Sequence, residues 1–398
     1  MFECPYVMAD LITFLCPLDG VNDARFQTLC RILWGWTSCT TCSTAKPCEG
    51  QECPQRRLLR LEPFFRYYEE VAGSYVPESF MPDAPRALRS HEDLFQIIEL
   101  LQERPSAPRN ELSTSYFAIR SNGNGQLPSL DDQHRAFNLA LRVLLMVSCC
   151  VENQSGGLLE SGREPCVWRS DQSVTDFTTS TFPFREHPSL DGGCESPIDI
   201  KSELSAIKLK RIAGLKIQGT TELRDHLRLD QKTGVLEIYH LTSVLREHLR
   251  SSVLEGPSAA GSASRGIIPR QLALETLQSL RILFPLDSDS QSLLRSLVSK
   301  ELFDPDCLRF GTTSYQRQNE SETSYWFWGS RLMDLFDEIE NPKPRSWLEV
   351  WMDKRSKARH VMMATLIGVI IAVLLGIFGL AVGIFQAWVA YEAWKHPG

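Results

Sequence analysis

The chain has 398 residues, of which 43% are hydrophobic and 23% charged, room for a packed core and for one large or two to three ordinary domains. Its net charge of −7 is uneven: residues 341–360 hold Lys343, Arg345, Lys354, Arg355, Lys357 and Arg359 against Glu349 and Asp353, which leaves residues 1–340 with 35 basic and 46 acidic side chains, net −11. A body this acidic is repelled by phosphate backbones and anionic lipid surfaces, so general nucleic-acid binding is disfavoured unless a local patch overrides the field.

The N-terminus, "MFECPYVMADLITFLCPLDG", lacks a basic leader and sets Glu3, Asp10 and Asp19 around a short apolar run, unlike a secretory signal. The body is therefore expected in the cytosol, with its 12 cysteines as reduced thiols or metal ligands rather than disulfides. Cys39-x2-Cys42-x5-Cys48-x4-Cys53, with Cys30 upstream, gathers four thiols near the turn formers Pro47 and Gly50, a candidate tetrahedral zinc site. The second pair is wider than the usual knuckle gap. A redox-sensitive or palmitoylated cluster and ordinary thiols stay open beside zinc. This Cys-rich region is taken as residues 1–85.

Helical periodicity dominates the chain beyond residue 85, and the expected fold is mainly α: a helical cytosolic domain with a few short strands, plus one C-terminal transmembrane helix. "SHEDLFQIIELLQER" opens with Ser90 and Asp93, an N-cap signature ahead of Leu94, Phe95, Ile97, Ile98 and Leu101. "RNELSTSYFAIR" reads as a short helix leading into a strand, and "SNGNGQLP" as a turn. "SLDDQHRAFNLALRVLLMVSCC" repeats the cap pattern with Ser129 and Asp132 and is nearly all apolar from Leu139 to Val147, a buried central helix. Residues 152–200, rich in Gly, Ser and Pro and broken only by aromatic islands at Trp168 and Phe182 to Phe184, read as an irregular insertion in a domain spanning 86–254.

From residue 201 the pattern suggests a helix, a break near Gly214, a Thr-capped helix around Leu223 to Leu227, a strand at Val235 to Tyr239, and another helix. "EGPSAAGSASRG", 255–266, is a flexible linker by composition. "PRQLALETLQSLRILFP", with Pro269 suited to the first helical turn, "SQSLLRSLVSKELF" and "SYWFWGSRLMDLFDEIE" make a helical juxtamembrane region over 267–360. Within it "PKPRSWLEVWMDKRSKARH" sets Trp347 and Trp351 one turn apart, with Lys354, Arg355, Lys357 and Arg359 toward the span. Each basic residue near an anionic leaflet contributes about 1 kcal/mol, so this helix lies along the interface or packs as a topogenic collar.

From Val361 to Tyr391 there is no charged residue, and 15 of the 25 residues from Val361 to Phe385 are Leu, Ile, Val or Phe. About 20 apolar residues cross the ~30 Å of hydrocarbon, so 361–389 is a transmembrane helix, with 390–398 a short tail beyond it. Six Lys/Arg precede the span and Lys395 alone follows, which by the positive-inside rule puts the body in the cytosol. Trp388, Tyr391 and Trp394 form an aromatic belt at the far end, and the whole has the layout of a tail-anchored protein. Gly368, Ala372, Gly376, Gly379, Gly383 and Ala387 share roughly a 100° arc of the helix at 3.6 residues per turn, a face that lets a second helix approach closely in a homo- or hetero-oligomer.

Chemical motifs are sparse. Arg120, Asn122, Asn124, Gly125 and Asp131 resemble part of a calcium loop but lack its leading acid and are interrupted by Pro128. Lys208, Lys210, Arg211 and Lys216 are flanked by Glu203, Glu222 and Asp225 and read as a solvated face. There is no Gly-x-Ser-x-Gly, Walker A or dinucleotide-binding glycine pattern, and His226, His240 and His248 show no metal-ligand spacing. Asp304, Asp306 and Cys307 in "FDPDCLRF" read as a turn with a helix cap, although a site is conceivable there.

The blocks "LDDQHRAFNLALRVLLMVSC", "IKLKRIAGLKIQGTTELRDHLRLD", "PRQLALETLQSLRILFP", "FDPDCLRF" and "ARHVMMATLIGVIIAVLLGIFGLAVGIFQAWVAYEAWKHP" resemble an abundant group of filamentous-ascomycete proteins with a single C-terminal transmembrane helix. The resemblance covers roughly residues 90–398 and does not extend to the cysteine cluster. It implies a fungal source and a membrane anchor, and carries no activity, cofactor or catalytic residue. The expected function is an interaction or scaffold component of a membrane complex, with a zinc-binding membrane-tethered regulator and a membrane-attached enzyme as alternatives.

Overall fold

Several helix starts follow from local capping chemistry. A computed structural model describes residues 17–18, 20–37, 53–78, 85–120, 126–151, 165–185, 203–253, 267–309, 317, 320, 325–343 and 359–395. The chain divides into two units, Met1–Asn341 and Pro342–Gly398.

In the first unit, Asn22 Oδ1 accepts the Arg25 N–H at 2.9 Å to start α1 (Asp23–Trp34), and Gly35, at φ 66°, ends it by donating its N–H to the Arg31 carbonyl at 2.8 Å. α2 (Pro54–Arg60) and α3 (Glu62–Gly73) meet at Leu61, and Pro63 in the first turn of α3 has no N–H with which to extend α2. α4 (His91–Glu103), α5 (Arg109–Arg120) and α6 (Leu130–Leu145) follow. The Ser90 and Ser129 caps differ from each other. Ser129 Oγ accepts the Asp132 N–H at 3.2 Å, as its pattern predicts, whereas the Ser90 hydroxyl caps no N–H and Asp93 instead accepts the Arg89 N–H at 2.7 Å and pairs with Arg120 at 2.7 Å. Asp132 is itself buried, accepting the Tyr75 hydroxyl and the Ala87 N–H, both at 2.7 Å. α5 stays helical through Arg120, where a strand was expected.

The irregular insertion expected over 152–200 is corrected in its middle. β2 (Cys166–Val167) pairs in parallel with β1 (Cys149–Cys150), and α7 (Val174–Thr181) follows, capped by Ser173. Trp168 is fully buried, the Arg109 guanidinium lies 4.5 Å over its ring, and Arg109 Nη1 donates to its carbonyl at 2.8 Å. Trp168, Phe177 and Phe182 are core side chains, which is why this stretch is ordered despite its turn-rich composition.

After α8 (Ala206–Arg211), Gly214 takes φ 65° and leads into a three-stranded sheet of order β3-β5-β4. β3 (Lys216–Thr220) runs parallel to β5 (Val235–Tyr239), and β4 (Arg228–Asp230) antiparallel to it. β5 has the expected bounds. The Thr-capped helix expected at Leu223 to Leu227 is instead a single 3-10 turn, Leu223–Asp225, in the short connection from β3 to β4 on the two sides of β5.

α9 (Thr242–Val253) packs on α10 (Arg270–Leu283), and Asp287 caps α11 (Ser288–Lys300) by accepting the Ser290 N–H at 2.8 Å. Pro269 is the N-cap of α10 rather than a first-turn residue. The Glu275 carboxylate, fully buried, accepts the N–H groups of Trp326, Phe327 and Trp328 at 2.9, 2.8 and 3.1 Å, anchoring the turn before α12 (Gly329–Glu340). One core cluster runs from Leu18 to Leu335, and α1 packs against both α4 and α9. The expected boundaries between 1–85, 86–254 and 267–360 therefore do not divide the body, because helices on either side bury their apolar faces against one another. Residues 255–266 lie outside the described residues.

The second unit contains α13 (Arg359–Lys395), 37 residues long. It begins two residues before the expected span and continues past 389 into the expected tail, since nothing there breaks a helix. Its segment Leu366–Glu392, 27 residues, is long and apolar enough to cross a membrane, and none of that segment is buried.

Candidate functional site

A cleft of about 540 Å³ lies where α2 and α3 face the end of α11 and the segment 302–309. Arg56 and Arg60, four apart on α2, share one face of that helix and line the cleft together. Their neighbour Arg57 turns inward, donating from Nε to Glu247 at 2.9 Å and lying 4.3 Å over the Trp36 ring. Arg309 closes the opposite side, and Arg66 adds a fourth guanidinium. Burial, then the charges of Arg309 and Arg250, push Arg60 below the usual arginine range, against the charges of Asp306 and Glu247.

Three acids also line the cleft, and each is already partnered. Glu62 lies 3.3 Å from Arg66 and Asp306 lies 3.1 Å from Arg246. Asp304, fully buried, accepts the Asp306 N–H at 2.8 Å and the Ser243 N–H at 2.9 Å. Burial and then the Asp306 charge raise its carboxyl to about 6, against the two hydrogen bonds that favour ionisation. The turn reading of "FDPDCLRF" holds, for Asp304 caps the 3-10 helix Pro305–Leu308, but the same carboxylate also ties that turn to the start of α9. Among the described residues, Arg56, Arg60 and Arg309 have no acidic partner within ion-pair distance.

Phe303 forms the cleft floor. Its ring stacks on His240 at 5.3 Å between centroids, and a Cβ on Gly219 would stand 2.8 Å from its Cε1, so this strand position admits only glycine without the ring shifting. The Asp304 N–H donates to His240 Nδ1 at 3.3 Å, and burial lowers His240 to about 4, leaving a neutral ring. Burial keeps the Cys307 thiol protonated, its sulfur 3.3 Å from the His240 carbonyl oxygen, so it is no nucleophile.

A serine–histidine pair elsewhere invites a catalytic reading that its geometry refutes. His226 Nε2 lies 2.7 Å from Ser279 Oγ, and both residues are fully buried. The Tyr239 N–H donates to His226 Nδ1 at 3.2 Å, so in the neutral ring that burial enforces, Nε2 carries the proton and donates to Ser279. The Ser279 hydroxyl in turn donates to the Thr276 carbonyl at 2.8 Å. The imidazole is thus in the wrong tautomer to activate the hydroxyl.

Of the candidate zinc ligands, Cys39, Cys42 and Cys48 lie outside the described residues. Cys53 is buried at the N-cap of α2. Among the described residues no three His, Cys, Asp or Glu side chains are grouped to hold a metal ion. Trp347, Trp351, Lys354, Arg355 and Lys357 also lie outside the described residues, while Arg359 begins α13. On α13, Gly368, Gly376, Gly379 and Gly383 have open space where a Cβ would be, and Ala372 and Ala387 are exposed. Trp388, Tyr391 and Trp394 are exposed near its end. The basic run at Lys208 to Lys216 is a solvated face, with Lys208 2.5 Å from Glu203 and Arg211 3.5 Å from Asp289.

The cleft arginines were missed by sequence reasoning, although "PQRRLLRLEPFFR", with four Arg and one Glu, stands out in an acidic body. No family profile matches the chain, and neither a curated protein nor a solved structure is significantly similar to it.

Proposed function

We propose that the chain is a single-pass, tail-anchored membrane protein whose helical body faces the cytosol and serves as an interaction or scaffold component of a membrane complex. The observation that carries this reading is α13: over Leu366–Glu392 its large apolar side chains are exposed on every face, and such a surface is stable in hydrocarbon, not in water. Six basic residues before the span against Lys395 after it support the cytosolic side for the body. The shared sequence blocks bring a filamentous-fungal family into the same reading.

Partner association is assigned to the face of Gly368, Ala372, Gly376, Gly379, Gly383 and Ala387, which draws its support from helix packing in lipid, where small residues let backbones approach. Replacing Gly376, Gly379 and Gly383 together with Leu keeps the segment apolar and fills that face. Partner or self-association recovered from mild detergent should fall several-fold while membrane insertion is unchanged. Equal recovery with the triple variant would show the face to be incidental.

A further inference from the structure

We propose that the cleft between α2, α3 and the Pro305–Leu308 turn binds a phosphate-bearing small molecule with an apolar portion, held by Arg56, Arg60 and Arg309. The asymmetry of partners points to an anion. Glu62, Asp304 and Asp306 are each held by a partner within the chain, whereas among the described residues no acid forms an ion pair with these three guanidinia, gathered around one space of about 540 Å³. Like charges brought together cost electrostatic energy, which an anion carrying two or more negative charges offsets. Planar guanidinium forks match phosphate oxygens two at a time, and the volume suits a small molecule. A long nucleic acid fits less well, because residues 1–340 carry a net −11 that opposes a polyanion away from the cleft.

The apolar portion follows from the mouth and floor. Leu59 is 75% exposed and Leu302 64% exposed, both against the cleft, with Val298 and Phe303 behind them. Leu302 sits at φ 55°, a left-handed conformation that is strained for a leucine, and pairs that strain with an exposed apolar side chain at the cleft. A ligand whose phosphate meets the arginines and whose apolar part covers Leu59 and Leu302 uses both features.

The test uses the full-length chain, in neutral detergent with inorganic pyrophosphate or ATP, and in phosphatidylcholine nanodiscs with or without phosphatidic acid. Binding is followed by the shift in thermal unfolding. R56Q/R60Q/R309Q should weaken the responding probe by about a hundredfold and R60K by about tenfold, since lysine keeps the charge but loses the fork. Lys232→Gln, which removes one positive charge from an exposed turn far along the chain, should leave binding unchanged. A response to ATP assigns the site to a free organic phosphate, and a response confined to phosphatidic acid assigns it to a lipid headgroup. Because R60K keeps the charge and none of the three arginines forms an ion pair among the described residues, loss of binding in a variant that unfolds normally cannot be ascribed to collapse. No response to any probe below about 1 mM, or an equal response in the triple variant, would overturn the proposal. Pyrophosphate binding as tightly as the best organic or lipid phosphate would remove its apolar part.

Discussion

The body and α13 draw on the same apolar residue types and put them to opposite use. In the body, Phe64, Phe137, Leu141 and Trp168 are wholly buried. On α13, Leu374, Leu375, Ile377 and Phe378 are each more than half exposed. The difference lies in patterning. α6 alternates apolar and charged positions at helical spacing and so has one face to bury, while α13 is apolar all round and has no polar face to give to water. Solvent, not residue type, decides which arrangement is stable.

The largest expected effect breaks the α13 side of that contrast. Leu374→Arg with Leu375→Arg puts two charges near the middle of the span at roughly 2.5–3.5 kcal/mol each, and the protein should move from the pellet to the supernatant on alkaline carbonate extraction. Retention in the pellet would mean that the span is not what holds the chain to membranes. Next, Phe137→Ala in the buried face of α6 should lower the urea-unfolding free energy of the full chain in detergent by about 3–5 kcal/mol, with membrane retention unchanged. A smaller effect comes from Asp304. Its carboxyl is raised from 3.8 to about 6, so the native state holds its proton more tightly than the unfolded chain does. That contribution is fully present below about pH 4 and is lost as pH rises through about 6, a change of up to roughly 3 kcal/mol. Asp304→Asn removes it. The stability difference, wild type minus variant, should therefore rise as pH falls from 7 to 4, superimposed on a constant offset because an amide N–H₂ must face one of two backbone donors. A flat difference would show that Asp304 is not desolvated.

Legibility tracked sequence distance. The Ser129 cap, the bounds of β5 and the apolar run of α13 depend on neighbours within a few residues, and all were readable. β3, "KIQGT", carries too little apolar alternation to signal a strand, and its five-residue pairing with β5 is what makes it one. Trp168 looked like an island because its partner, Arg109, lies 59 residues away. The cleft was the least legible feature: Arg56 and Arg309 belong to opposite ends of the body, and nothing local to either one reports the other. Asp304 was readable as a cap because that bond spans two residues, and unreadable as the link to Ser243, which spans 61.

The close seat of Phe303 on Gly219 reaches beyond the strand that contains it. Because the ring rests where a side chain would begin, a single methyl on β3 would press on the ring that lines the cleft beside Arg56 and Arg60. β3 thus bears on the cleft through a residue that is not itself among those lining it. A side chain at position 219 would therefore reach the cleft wall through Phe303 without touching any of the arginines.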